Sequence, residues 1–201
     1  MARMFNDTST PLSLLRTRRS GKPRDMVAPG PSPEQLREMA AIAARTPDHG
    51  KLAPWRFVIV PDAARQALAD KLVAIQRAEK PDCTARDEEA TVQFVMQAPA
   101  LVVVLSAPVI PHKIALWEQE LSAGAACMNL LHAAHACGFV GSWLTGWAAY
   151  SDAVRDLFGA APQRIAGFVF IGTPGRDLEE RPRGELSEIV HEWNPGYGPD
   201  R

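Results

Sequence analysis

The chain has 201 residues, 46% of them hydrophobic, with 22 Lys+Arg against 23 Asp+Glu and a formal net charge of -1. That length suits one domain, and that composition suits a substantial core. The balanced charge argues against a nucleic-acid partner, which needs a basic excess on one face, and residues 1–10 lack the apolar stretch of a signal peptide.

Three cysteines, Cys83, Cys127 and Cys137, are odd in number and lack metal-type spacing. They point to a reducing compartment, the cytoplasm, not to a secreted disulfide scaffold. Between Leu121 and Ser151 there is no Asp, Glu, Lys or Arg. Asn129, His132, His135, Gly138, Gly141 and Gly146 interrupt this run. It therefore reads as a buried helix followed by a Gly-rich loop, not as a membrane span of about 20 apolar residues.

Along the chain, residues 11–18 read as a short helix with Leu12 and Leu15 on one side. A Pro- and Gly-rich connector follows over 23–33. Ser32-Pro33-Glu34-Gln35 is a capping box, with Ser32 as N-cap and Gln35 reaching back. Leu36, Met39, Ala40 and Ala43 give that helix an apolar stripe, and it should stop before Pro47. Residues 55–60 read as a strand between Pro54 and Pro61. Asp62 is placed to cap a helix carrying Leu68, Leu72 and Ile75. The run 101–105 reads as a central strand buried on both faces. A long helix is expected over 117–137, ended by Gly138 at C′. Ser151 caps a short helix reaching Phe158, and 165–171 is the last clear strand. Beyond it, Leu186, Ile189, Val190 and Trp193 give the tail apolar surface that must fold back or cross onto a second chain. Helices mixed with separated strands, without a G-x-G-x-x-G after a strand, indicate an α+β fold.

Arg18-Arg19-Ser20 combines two guanidinium forks with a hydroxyl, a donor set for phosphate oxygens. The same residues fit a solvated basic helix end, favoured by the helix dipole. Lys22 is either a surface lysine or a cation beside the N1 and O2 atoms of a reduced flavin. Arg45 and His49, flanking Pro47-Asp48, face either solvent or the phosphate and ribityl chain of a cofactor. Gly141-Ser142-Trp143-Leu144-Thr145-Gly146 sets a Trp between glycines in a polar loop, suited to a flat aromatic ring. A phosphate at one end and a polar flat ring at the other describe flavin mononucleotide, FMN. His132 and His135 lie near Cys127 and Cys137, but no carboxylate in the stretch completes a metal site. They read as core and interface packing, and no metal is expected. No G-x-S-x-G elbow is present, and an apolar helix disfavours a thiolate at Cys127 or Cys137.

Five segments in order resemble the FMN-dependent nitroreductase family, in particular its short, minimal-form NAD(P)H nitroreductase subgroup. They are Arg18-Arg19-Ser20; Arg45-Thr46-Pro47-Asp48-His49 with Pro54-Trp55; Trp117-Glu118-Gln119-Glu120-Leu121-Ser122-Ala123-Gly124; Gly138-Phe139-Val140-Gly141-Ser142-Trp143; and Gly167-Phe168-Val169-Phe170-Ile171-Gly172-Thr173-Pro174. The resemblance covers 12–193 of a single domain over 1–201. It implies an α+β fold with a mostly antiparallel sheet between helices, and a homodimer that exchanges C-terminal tails. Two FMN molecules would lie at the dimer interface. Arg18, Arg19 and Ser20 would come from one chain, Arg45 and His49 from its partner. Trp143, Leu144 and Thr145 would lie against the ring, with the Gly146 backbone near flavin N5. Arg183, in Arg181-Pro182-Arg183, matches a basic tail element that reaches the phosphate. Ala133, Ala134, His135, Ala136, Cys137 and Gly138 match a stretch assigned to NAD(P)H in relatives. The loop Asp48-His49-Gly50-Lys51-Leu52-Ala53 departs from the Ser, Asn and Gln of larger members and fits the minimal subgroup.

The implied activity is ping-pong. NADH or NADPH reduces FMN by hydride transfer and leaves, and a nitroaromatic, quinone or similar small acceptor takes its place. The flavin does the chemistry, which accounts for the absence of an acid–base dyad. Other flavin chemistry in the family, such as dehalogenation, flavin breakdown or dehydrogenation, needs lid segments for which 76–87 offers little length. A non-catalytic flavin-binding dimer is the alternative of another class. No membrane partner is implied.

Overall fold

The uncharged, β-branched run near the middle of the chain becomes the strand around which the others assemble. In the computed structural model, which describes residues 5–193, this strand, β3 (Ala100–Ser106), is buried at every position. Branched side chains pack well on a pleated surface covered from both sides. β3 pairs antiparallel with β2 (Trp55–Val60) and with the long β5 (Arg164–Pro174). β4 (Val140–Leu144) joins β5 along 168–172, and β1 (Met26–Val27) pairs with Thr173 and Pro174. Every pairing is antiparallel, so the α+β expectation holds.

The helices are α1 (Pro11–Thr17), α2 (Pro33–Ala43), α3 (Arg65–Glu79), α4 (Ala85–Met96), α5 (Leu116–Ala136) and the short α6 (Trp147–Tyr150), α7 (Asp152–Arg155) and α8 (Leu186–Ile189). Strand alternation sorts the interior into two cores. Val102, Val104, Val169 and Ile171 face Leu36 and Met39 of α2 and Leu130 and Leu131 of α5. Leu101, Val103, Phe168 and Phe170 face Leu68 and Leu72 of α3 and Val95 of α4. Phe94 of α4 meets Phe168 and Phe170 edge-on, with ring centroids 5.2 and 5.3 Å apart, the geometry that aromatic quadrupoles favour.

Local signals act as expected at several ends. Ser32 Oγ accepts from the Gln35 amide while the Ser32 amide donates to the Gln35 side chain. α5 ends at Cys137, with Gly138 following at φ +84. Ser151 Oγ accepts from the Val154 amide and starts α7.

Other expectations change. Asp62 opens a 3-10 turn over Asp62–Ala64 and does not cap α3, whose N-cap Ala64 makes no side-chain cap bond. The segment expected as a Gly-rich loop is strand β4. Residues 85–96 form α4, capped by a reciprocal Thr84–Asp87 box, where no helix was expected. The tail residues Leu186, Ile189, Val190 and Trp193 are all exposed, Trp193 at 77%. Among the described residues no helix is long and apolar enough to cross a membrane.

Leu130 of α5 is fully buried against the sheet. Leu130→Ala should therefore cost about 2–5 kcal/mol of stability, read as a lowered urea midpoint. A loss well below that range would mean that α5 does not anchor this face.

Candidate active site

The cationic motif sits where α1 gives out. Arg18 leaves helical geometry at φ -55, ψ 125. The backbone beyond it is clamped by the N-terminal segment. The Arg19 amide donates to Asn6 Oδ1 at 2.8 Å, and Asn6 Nδ2 donates to the Arg19 carbonyl at 3.1 Å. The Asp7 amide donates to Thr17 Oγ1 at 2.9 Å. With the main chain so held, Arg18 Nη1 donates to Ser20 Oγ at 3.1 Å.

Arg18, Arg19, Ser20 and Lys22 line one side of a cleft of about 320 Å³. Ser142, Trp143 and Leu144 of β4 line another, and Arg181 and Arg183 close it from the tail. Burial, then the charges of Arg183 and Arg19, lower the pKa of the Arg18 guanidinium from its ordinary value. A cluster of like charges held this way favours an anion. Arg19 Nε donates to the Glu179 carbonyl at 2.6 Å, and Lys22 Nζ lies 3.4 Å from the Glu179 carboxylate. Arg183 lies 3.6 Å from Glu180. The Lys22 pair is exposed and worth little to stability, but with the Arg19 bond it holds residue 179 beside the motif, while the Arg183–Glu180 pair lies within the tail itself.

Trp143 lies in a trough beside β5. Its Nε1 donates to the Ala166 carbonyl at 3.0 Å. A Cβ on Gly167 would lie 2.0 Å from that nitrogen, so only glycine permits this indole position. A Cβ on Gly124 of α5 would lie 3.9 Å from the far edge of the ring. The Trp expected in a polar loop is thus fixed on an edge strand.

Behind the arginines, α5 presents two imidazoles. Burial, then Arg18, lowers the pKa of His132. Burial, then Arg18 and His132, lowers that of His135 to about 3. His135 Nε2 accepts from the Gly141 amide at 3.2 Å, so its proton sits on Nδ1. The Nδ1 atoms of both histidines are buried without a hydrogen-bond partner among the described residues.

The structure does not bring every expected residue into this cleft. The segment of Arg45 and His49 runs along α5 from Asn129 back to Glu118. Asn129 Nδ2 donates to Thr46 Oγ1 at 2.6 Å, Ser122 Oγ donates to the Pro47 carbonyl at 2.8 Å, and His49 Nδ1 is 2.8 Å from Glu118. Thr145 and Gly146 line a separate cavity. Ala133, Ala134 and His135 are buried in the α5 core, leaving Ala136 and Gly138 exposed with Cys137 part-buried. That stretch therefore offers a nucleotide no continuous surface. Burial pushes the Cys127 thiol up to about 12 and raises Cys137, so neither is a nucleophile at neutral pH. Sequence reasoning gave no role to Asn6 or to Gly167, and named Ser142 only within its segment. Only Gly167, an isolated glycine inside a strand, carried a signal of close approach.

The nitroreductase family model matches residues 15–173. "Putative NAD(P)H nitroreductase YdjA" of Escherichia coli (strain K12) is 36% identical over 164 residues, 81% of this chain and 87% of that protein. A nitroreductase-like family protein from Bacillus cereus shares the fold with TM-score 0.76 at 23% identity, over 94% of this chain and 97% of that one. A mutant of the FMN and NADPH-dependent nitroreductase NfnB from Sphigopyxis sp. strain HMH does so with TM-score 0.66 at 19% identity, over 89% and 96%.

The low pKa of His135 has a measurable consequence. The folded state keeps this imidazole neutral down to about pH 3, whereas the unfolded chain takes up a proton below about 6.5. The stability it protects is therefore complete above pH 6.5 and lost as pH falls toward 3, by about 1.4 kcal/mol per pH unit. Urea unfolding at pH 6.5 and 5 should give a loss on the order of 2 kcal/mol from this group. His135→Gln should show a correspondingly smaller loss. Equal pH dependence in both proteins would contradict a neutral buried His135.

Proposed function

The chain belongs to the nitroreductase family, and from that premise we propose that it is a homodimeric, FMN-dependent oxidoreductase. It takes electrons from NADH or NADPH and passes them to nitroaromatic, quinone or similar small acceptors. The observation that carries this reading is the convergence of Arg18, Arg19, Ser20 and Arg183 in one cleft with 142–144 of β4. The donor set fits the group: clustered guanidinium forks match a phosphate, and the exposed face of β4 gives a ring somewhere to lie. When bound, FMN supplies the two-electron chemistry.

The protein's part is to bind, orient and tune. Arg18 and Ser20 hold the phosphate end, with Arg19 and Arg183 adding charge. Trp143 and Leu144 form the wall against the ring, and Thr145 and Gly146 continue it. Lys22 contributes a positive charge that favours a reduced, anionic ring, while Glu179 beside it weakens that effect. The nucleotide is assigned to the cleft over the ring, since half of 133–138 is buried core.

The dimer completes the site. Arg45 and His49 lie away from their own cleft, beside the exposed Trp117 and Leu121 of α5. A second copy packed on that face would bring them to the neighbouring cleft. The exposed Leu186, Ile189, Val190 and Trp193 would dock on it as well, gaining about 25 cal/mol per Å² of apolar surface buried. The three free thiols accord with a cytoplasmic protein, and residues 12–193 form its single working unit.

The purified protein should be yellow, release FMN on heating, and bleach anaerobically with NADH or NADPH. FAD, or no flavin after reconstitution, would overturn the reading. Arg18→Ala should weaken FMN binding by roughly tenfold to a hundredfold, the effect of losing a charged hydrogen bond of about 1.5–3 kcal/mol. Unchanged affinity would remove this motif from the site. Truncation after Pro182 should lower flavin content and dimer stability together, as read by analytical ultracentrifugation. A truncated protein that stays dimeric and fully yellow would refute the shared site.

A further inference from the structure

The loop between α2 and β2 is mostly exposed, yet it is held at several points. Glu118, Ser122 and Asn129 of α5 follow at helical spacing and share one stripe of the helix. Each takes one rung of the loop. Asn129 Nδ2 donates to Thr46 Oγ1 at 2.6 Å, Ser122 Oγ donates to the Pro47 carbonyl at 2.8 Å, and His49 Nδ1 lies 2.8 Å from Glu118 Oε2. Asp48 closes the turn that follows, its Oδ1 accepting from the Leu52 amide at 2.6 Å. That turn needs left-handed backbone at Gly50, Lys51 and Ala53, with φ of +87, +57 and +46. Lys51 and Ala53 are not glycine, and such conformations are uncommon in other residues and gather at functional sites. A loop fixed in this way presents His49, whose side chain is 64% exposed.

We propose that Glu118 is a positioning residue: it holds the His49 imidazole so that Nε2 is offered to the hydroxylated chain of a cofactor seated in the cleft of a second copy. The cofactor and the dimer rest on the reading above; the hold of Glu118 on His49 rests on the loop alone.

A carboxylate only accepts, so the bond to Glu118 puts a proton on His49 Nδ1. Nε2 makes no hydrogen bond among the described residues. In a neutral ring it accepts, and in a protonated ring it donates. A hydroxyl satisfies both states, because it donates to the one and accepts from the other. An ionised phosphate oxygen suits only the protonated ring, and the cleft already supplies Arg18, Arg19, Ser20 and Arg183 for that group. The chemistry therefore matches His49 to a polyol chain. Without Glu118 the ring is free to turn, and a neutral ring is free to carry its proton on Nε2. Glu118 also lies in the first turn of α5, where a negative charge complements the helix dipole. That second role depends on charge, whereas positioning depends on an acceptor. A Gln side chain keeps the acceptor without the charge.

The test uses the full-length protein freed of flavin and then titrated with FMN. Nitrogen NMR of the histidine rings reads the tautomer, and quenching of flavin fluorescence reads the affinity. In the parent, His49 Nδ1 should carry a proton before FMN is added. Glu118→Leu should lose that signature, and with it roughly threefold to tenfold in FMN affinity, the range of one neutral hydrogen bond. His49→Ala should lose as much, and the double variant no more than either single one. Glu118→Gln should keep the Nδ1 proton and stay close to the parent in affinity. Equal losses in Glu118→Gln and Glu118→Leu would overturn positioning in favour of the dipole role. Parental affinity in Glu118→Leu or in His49→Ala would overturn the contact with the cofactor. Failure of every form to take up FMN would sink the flavin reading and that contact with it, whereas the ring signature would still decide whether Glu118 positions His49.

Discussion

The pleat of β5 is the constraint on which the rest of the molecule depends. This one strand pairs with β1, β3 and β4, and its alternate residues divide the two cores. Phe168 and Phe170 point to α3 and α4, Val169 and Ile171 to α2 and α5. A slip of one residue would send the phenylalanines to the wrong layer. It would also move Gly167 from under Trp143, where a side chain has no room. Register in β5 thus fixes a wall of the site as well as the interior.

Electrostatics adds a second level of order. The tail is held beside the motif at Glu179, by the Arg19 bond to its carbonyl and an exposed Lys22 pair of small value. Deeper in, Arg18 and the two α5 imidazoles repel one another's protons, with burial as the larger cause. The neutral histidines let α5 lie behind the cationic motif without adding charge to it. An anion in the cleft relieves the repulsion among the arginines, so ligand binding and local stability are linked.

Much of this was legible from residue order. The strand at 55–60, the buried run within β3, the Ser32–Gln35 box and the long helix, uncharged from Leu121 on, carry strong local signals, and each forms as expected. The cluster of Arg18, Arg19, Ser20 and Arg183 could be anticipated only through the family resemblance, because residues 18 and 183 meet through tertiary structure. β4 escaped notice because its alternation is carried by Gly141 and Ser142, which have low strand propensity. α4 escaped because its first turns are acidic and only Thr91 and Val95 are buried. Assigning a nucleotide to 133–138 conflicts with helical periodicity, which turns Ala133 and Ala134 toward the sheet.

The clamp on Arg19 ties two segments far apart in sequence to one point. Asn6 grips its backbone from the N-terminal side, and the Glu179 carbonyl holds its guanidinium from the C-terminal side. Segments near the termini fray harmlessly in most proteins; here residues 6 and 179 hold the edge of the cleft. On the ribosome, the arginine motif leaves early and must wait for β5 and the segment through Arg183. A nascent chain therefore has no finished cleft until residues 179–183 have emerged and met Arg19.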